Sequence, residues 1–332
     1  MGFLNSLLLT VIKAMHTVIN NYALTIILFT ILIKLVVMPL NVKSRRSTMR
    51  MSSVQPKMQA LQEKYKDDQE KLNQKLQELY RKEGVNPMGG CLPMIISMFI
   101  LFAMFYALRV FANEQLVTQF LTFYHNPTID PTTLTDSFLW IKNLWMPDSP
   151  FATYLPNGSS LKTIDFSVWN DVSAKLAAAG TIPQALNFAD RDAMTAFIND
   201  VVTPFIASDV YAPYVAPVAG LGNLSILGLI RFTIYKVGNG WFVLPILSIL
   251  TQLLMQNQTM KQTQMDPSQM GSQKTMLYVM TFMSLYFCAI YNSAFALYWV
   301  VSNIYAIVET FALNKYFAQQ DRKAATAQEV GI

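Results

Sequence analysis

Lys34 is the residue whose chemistry most needs explaining. It is the only charge in Tyr22–Leu40, YALTIILFTILIKLVVMPL, a run long enough to cross the roughly 30 Å hydrocarbon core of a bilayer. A lysine near the centre of a lipid-facing helix costs about 2.5–3.5 kcal/mol, so a chain keeping one there usually turns it toward protein or trapped water. Snorkelling is the competing reading, because the basic run Lys43, Arg45, Arg46, Arg50 follows only two turns on. Other chemistry is scarce. The chain has no H-E-x-x-H, Walker lysine loop, G-x-S-x-G or C-x-x-C, and its two histidines, His16 and His125, are far apart. Cys91 and Cys288 fall toward opposite membrane faces, which argues against a disulfide or a thiolate metal site. No catalytic residue, metal or cofactor is therefore expected, and the chain does not read as an enzyme.

The elements that must position Lys34 are membrane helices. Of 332 residues, 53% are hydrophobic and 14% charged, against roughly 25% charged in a soluble domain, and mean hydropathy is +0.31. Windows 84–108, 237–260 and 275–308 carry no Asp, Glu, Lys or Arg. The last would be about 51 Å long as one helix, too long for one crossing, so it must fold back, with Asn292 and Ser293 as the natural break. The expected fold is an all-α integral membrane protein with five transmembrane helices, an N-terminal interfacial amphipathic helix and a cytoplasmic helical hairpin.

Orientation follows from the basic residues. Segments 41–87, 261–274 and 315–332 hold 16 of the 25 Lys and Arg in 79 positions, whereas 1–21, 109–236 and 291–293 hold 8 in 152. The richer set is cytoplasmic by the positive-inside rule, which puts the N-terminus outside and the C-terminus in the cytoplasm. The pI near 9.0 then reflects a basic cytoplasmic face rather than a nucleic-acid surface, and no sequence-specific nucleic-acid binding is expected. The resulting map is 1–20 interfacial helix, 21–40 first span, 41–87 hairpin, 88–110 second span and 111–236 extracytoplasmic segment. The third span at 237–260, a loop at 261–274, the fourth and fifth spans within 275–314 and a short tail at 315–332 complete it. The first residues read as an amphipathic helix, with Leu4, Leu8, Val11, Ile12 and Met15 on one side and Asn5, Ser6, Lys13 and His16 on the other. A signal peptide would more usually place its charge first, and the Met1-Gly2 to Ser6 myristoylation pattern explains fewer residues.

Within 41–87, Val54, Met58, Leu61 and Tyr65 step by helical spacings, as do Leu72, Leu76 and Leu79 after the polar Lys66-Asp67-Asp68-Gln69. Two short stripes with a break predict an antiparallel hairpin. Most of its charges read as a solvated surface. Arg45, Arg46 and Arg50, beside the membrane, are the candidates for contact with anionic headgroups or incoming polypeptide.

Several motifs then carry a resemblance. Met38-Pro39-Leu40, Met49-Arg50-Met51, Gln55-Pro56-Lys57 and Leu79-Tyr80-Arg81-Lys82-Glu83 lead into Asn86-Pro87-Met88-Gly89-Gly90-Cys91-Leu92-Pro93. Phe138-Leu139-Trp140-Ile141, Leu244-Pro245-Ile246-Leu247, Met280-Thr281-Phe282-Met283 and Leu297-Tyr298-Trp299-Val300-Val301-Ser302-Asn303 follow in order. Over about 20–145 and 237–314 the chain resembles the YidC family of membrane protein insertases. That resemblance implies a bacterial-type cell membrane protein that moves client transmembrane segments and short outer tails into the bilayer through a positively charged, water-filled groove. Its single cation is usually arginine, and Lys34 occupies that position. Nascent membrane proteins and the lipid bilayer are the implied partners, with the Sec translocon and the ribosome as further candidates.

Gln252, Tyr298 and Ser302 are the candidates to line the groove beside Lys34, although interhelical hydrogen bonding would equally account for polar residues in spans. The chain departs from the family pattern at Lys34, at Ser284 where proline is common, and at the turn Tyr291-Asn292-Ser293-Ala294. The tail lacks the long basic extension of some relatives. The segment at about 148–236 has no counterpart in the pattern. It predicts helices at 167–178 and 190–207 and an apolar stretch at 221–235 interrupted by Arg231, consistent with a small outer cap. The alternative function is a channel or secondary transporter for a small solute, but repeated halves and several intramembrane acids, common in such proteins, are not found.

Overall fold

The computed structural model describes residues 2–85, 92–219, 224–226, 230–262 and 267–329. The N-P-x-G-G-C-x-P stretch falls largely on 86–91, outside the described residues. Helix α1 is Gly2–Ile19 and α2 is Tyr22–Lys64. The expected first span and the first arm of the hairpin are thus one helix of 43 residues, which passes through Pro39 and Pro56. Proline removes one backbone donor and crowds the preceding turn, but a long helix can absorb both without ending. The hairpin turns where the polar break predicts. Asp68 accepts a bond from the Lys71 backbone N–H to cap α3, Gln69–Glu83, and Gly84 closes it in the left-handed conformation at φ 62°. Val54 on the first arm and Leu72 on the second are buried, and Lys57 pairs with Glu83 at 2.6 Å across the arms.

Helix α4 is Leu92–His125, running fifteen residues past the expected end of the second span. The extension has its own helical stripe. Phe111, Leu116, Val117, Phe120, Leu121 and Phe123 are buried, so protein rather than lipid covers it. Beyond it come the short α5, Gly158–Lys162, then α6, Phe166–Ala178, and α7, Arg191–Phe197. A π-helical turn at Ile198–Val202 leads into α8, Thr203–Ile206, and α9, Ala212–Val215. The predicted helices at 167–178 and 190–207 are therefore present, the second interrupted by the π turn. The all-α expectation needs one correction. Strands β1, Leu224–Ile226, and β2, Ile230–Phe232, form a small antiparallel ladder with Ser225 opposite Arg231. Their apolar and branched residues suit a short pleated pair better than a membrane helix. The chain ends in α10, Val243–Gln262, α11, Pro267–Ile290, and α12, Ser293–Glu329, so the expected break at Asn292 and Ser293 is where two helices meet. Among the described residues, three helices are long and apolar enough to cross a membrane, with shorter apolar helices beside them.

Two compact units emerge. The first comprises 1–26, 103–247 and 285–299; the second comprises 27–102, 248–284 and 300–332. The first has an aromatic core in which Phe120, Phe123, Trp145, Trp169 and Tyr211 are almost fully buried, and Phe120 meets the Trp169 ring edge-on at 6.0 Å. The chain leaves and re-enters this core at a buried polar knot. Asn239 donates through its amide to the carbonyls of Asn143, Met146 and Pro147 at 2.8–3.0 Å and accepts from the Asn143 backbone N–H. Asp148 accepts from the Trp140 indole and from the backbone N–H groups of Trp241 and Leu244. A side chain on Gly240 would strike the Asp148 carboxylate, which explains glycine there. The turn before α12 is anchored to the same loop, since the Ser293 N–H and hydroxyl both donate to the Met146 carbonyl. Helix α1 also packs on protein through its polar side: Lys13 pairs with Glu114 at 2.9 Å, and His16 stacks on Tyr22.

The second unit is built differently. Its helices leave Leu35, Val36, Leu254, Phe282, Val308 and Phe311 exposed, as a surface covered by hydrocarbon requires. Its polar groups point inward. Asn303 donates to the Thr251 hydroxyl at 3.1 Å, tying α12 to α10, and the Thr281 hydroxyl donates to Gln256 at 3.1 Å, tying α11 to α10.

Candidate functional site

Lys34, Asn41 and Arg45 are spaced by seven and four residues and so share one face of α2. Opposite that face, within the second unit, α12 presents Glu309, Thr310 and Asn314. The Asn41 amide reaches both carboxylate oxygens of Glu309 at 3.2 Å. Arg45 donates to the Thr310 hydroxyl at 3.0 Å, to its carbonyl and to Asn314 at 2.6 Å. The face thus carries two cations and one carboxylate, and Glu309 lies within electrostatic reach of both Lys34 and Arg45.

The carboxylate is held at the Asn41 end of this face. Among the described residues the Lys34 ammonium makes no ion pair within 4 Å and no hydrogen bond, and its side chain is only partly exposed. A half-buried ammonium whose counter-charge is near but not in contact keeps its three donors for another anion or for water. In surroundings of lower dielectric its attraction for such an anion exceeds that of the same charge in bulk water.

The other expected lining residues are distributed unevenly. Gln252 is buried and Ser302 partly exposed in the second unit, while Tyr298 is buried in the first. No hydrogen bond joins Lys34 to Gln252 or Ser302 among the described residues. Of the three arginines, Arg45 is committed to α12. Arg46 is exposed, donating to Gln320 at 3.4 Å with its guanidinium 5.7 Å from the Phe317 ring. Arg50 is exposed and its side chain makes no hydrogen bond among the described residues.

Glu309 was not anticipated from the sequence. The signal was present: the charge-free window stops at 308, whereas the apolar span continues to 314, which leaves one acid inside it.

Comparison with known proteins bears on the whole arrangement. Residues 14–321 match the family described as 60Kd inner membrane protein. A Membrane protein insertase YidC of Chlorobaculum tepidum is 43% identical over 156 residues, 46% of this chain and 23% of that protein. One of Pelodictyon phaeoclathratiforme is 42% identical over 149 residues, 45% and 22% of the two chains. One of Clostridium perfringens is 40% identical over 131 residues, 40% and 47%. The matched stretches are thus between about a fifth and a half of these relatives' own length. The apolar helices and these relatives together indicate a multi-pass membrane protein. Because the family match takes in α2, α10, α11 and the face of α12 that carries Glu309, the chain belongs to the 60Kd inner membrane protein family.

Proposed function

We propose that this protein is a membrane protein insertase, with Lys34 as the cation that draws acidic residues of a client's outer segment into the membrane. The observation that carries this reading is a half-buried ammonium in an apolar helix, without an ion pair among the described residues, in a chain whose relatives are named insertases. The mechanism is electrostatic. A cation in a partly desolvated setting offsets some of the cost of bringing a client carboxylate out of water, and a wet cavity shortens the client's path through hydrocarbon. The inward-facing polar groups of the second unit, Gln252, Gln256, Thr281 and Asn303 among them, are compatible with water reaching that depth. The exposed apolar faces of the same helices suit lateral release into lipid.

Five spans, with the N-terminus outside and the hairpin and C-terminus in the cytoplasm, complete the reading. Nascent membrane proteins and the bilayer are its partners; Sec translocon and ribosome contacts would bear on delivery rather than on the step at Lys34. In a bacterial cell the site of action is the inner membrane. A photocrosslinker in place of Lys34 should capture stalled membrane-protein chains with short outer tails. Adducts with chains of every length and sequence except these, or none above background, would refute the proposal.

A further inference from the structure

The geometry points to a binding site for an anionic phospholipid headgroup in the first unit, centred on Arg109. A cavity of about 550 Å³ opens there, lined from α4, from the 148–236 segment and from the turn between α11 and α12. Among the described residues Arg109 is the only charged one in its lining; it is exposed and forms no ion pair. Three further polar side chains face the same space with no hydrogen bond to protein among the described residues: the Asn113 amide and the phenols of Tyr235 and Tyr291. Asn157 and Ser160, also in the wall, are already bonded to each other in a helix cap and serve as structure.

This donor set suits a phosphodiester with a hydroxylated head. A guanidinium presents a planar fork to two phosphate oxygens, and an amide and two phenols can take the remaining oxygens and glycerol hydroxyls. Among the described residues no carboxylate stands in the lining to repel a negative ligand. Position favours a lipid source over a soluble phosphate. Arg109 is the first charge after the charge-free window 84–108, at the level where an apolar helix meets the membrane boundary, and two tyrosines beside it have the amphipathic character of interfacial residues. Ile290 and Leu116 add apolar wall on which glycerol and the first acyl carbons can rest. The inference depends on membrane residence and not on insertion activity.

The test uses the full chain purified in neutral detergent, stripped of lipid, and titrated with phosphatidylglycerol under native mass spectrometry. Arg109→Gln should weaken retention about tenfold or more, as expected for losing a charge-assisted bond, Arg109→Lys should recover part of it, and Asn113→Ala with Tyr235→Phe should also lower it. Lys34→Leu should leave retention unchanged, so failure of the insertase reading would be visible separately. Thermal unfolding of each variant without lipid shows whether it folds, and the Asn113 and Tyr235 variants carry the test if Arg109→Gln does not. Retention of phosphatidylglycerol unaltered in all cavity variants would overturn the proposal. Equal affinity for sn-glycerol 3-phosphate would overturn the lipid assignment in favour of a water-soluble phosphate.

Discussion

The two units of this protein solve opposite problems with polar side chains. In the first, the buried knot between 143–148 and 239–244 is densely paired: one asparagine, Asn239, serves three carbonyls and one N–H, and one carboxylate, Asp148, takes three donors. In the second, the charged face of α2 and α12 has a carboxylate fixed at one end and, among the described residues, an ammonium without an ion pair at the other. Dense pairing makes a unique, stiff core, since leaving any one member unpaired is costly. Sparse pairing leaves a group able to respond to a newcomer. For the proposed insertase step the place to look is the second unit, where the Lys34 charge is held back from neutralisation.

The largest effect is expected at the polar knot. Asn239→Leu leaves several buried groups without partners, at about 1–3 kcal/mol for each, so a loss of about 3 kcal/mol or more and a marked fall in the melting temperature of the purified protein are expected. An unchanged melting curve would mean that the first unit is not stiffened by this knot. Glu309→Gln is the next largest. It keeps an acceptor for Asn41 but removes the charge that competes for Lys34, and it should strengthen acidic-client capture by at most about 1 kcal/mol, roughly fivefold, as for a partly exposed pair. Weaker crosslinking to acidic clients in this variant would show that Glu309 assists the cation. Asn303→Val removes one interhelical bond to Thr251. Within a membrane such bonds average about 0.6 kcal/mol, so only a small shift in unfolding temperature is expected, in contrast to Asn239.

The smallest effect concerns the hairpin cap. Bonds from the Lys71 backbone and side chain hold the Asp68 carboxyl below the usual carboxylate range. A depressed acid stabilises the fold fully above its unfolded value, and that contribution fades as pH falls through the lower folded value. Hydrogen exchange at the start of α3, corrected for intrinsic rates, should therefore accelerate at acidic pH in the native chain and show no such dependence in Asp68→Ala.

Much of this was legible in the sequence because it rests on local or periodic signals. The hairpin turn at Lys66–Gln69, the helix break at Asn292 and Ser293, and the helices near 167–178 and 190–207 all follow from spacing and capping residues. The helix boundaries were less so. The expected spans stop at 40 and 110, yet α2 continues to Lys64 and α4 to His125. The single charge at Arg109 marks a local cost that tertiary packing along 111–125 outweighs, and the prolines in α2 mark one that a long helix absorbs. The ladder at 224–232 was hidden because short apolar runs fit strand and helix equally well. Lys34 was evident from its isolation in an apolar run. Its relation to Glu309, Asn41 and Arg45 was not, because a pairing across 268 residues leaves no mark in local spacing.

The role proposed for Lys34 is that of a charge rather than of packing. Four forms of the protein, with Lys, Arg, Leu or Glu at position 34, can be compared by complementation at matched membrane abundance, scored separately for clients with acidic and with neutral outer segments. Arginine should retain activity. Leucine should enter the bilayer at least as readily, since it removes about 2.5–3.5 kcal/mol of insertion cost, yet fail on acidic clients, and glutamate should be worse through like-charge repulsion. Full activity of Lys34→Leu on both client classes would contradict the account and leave Lys34 as a residue that merely snorkels to the membrane surface.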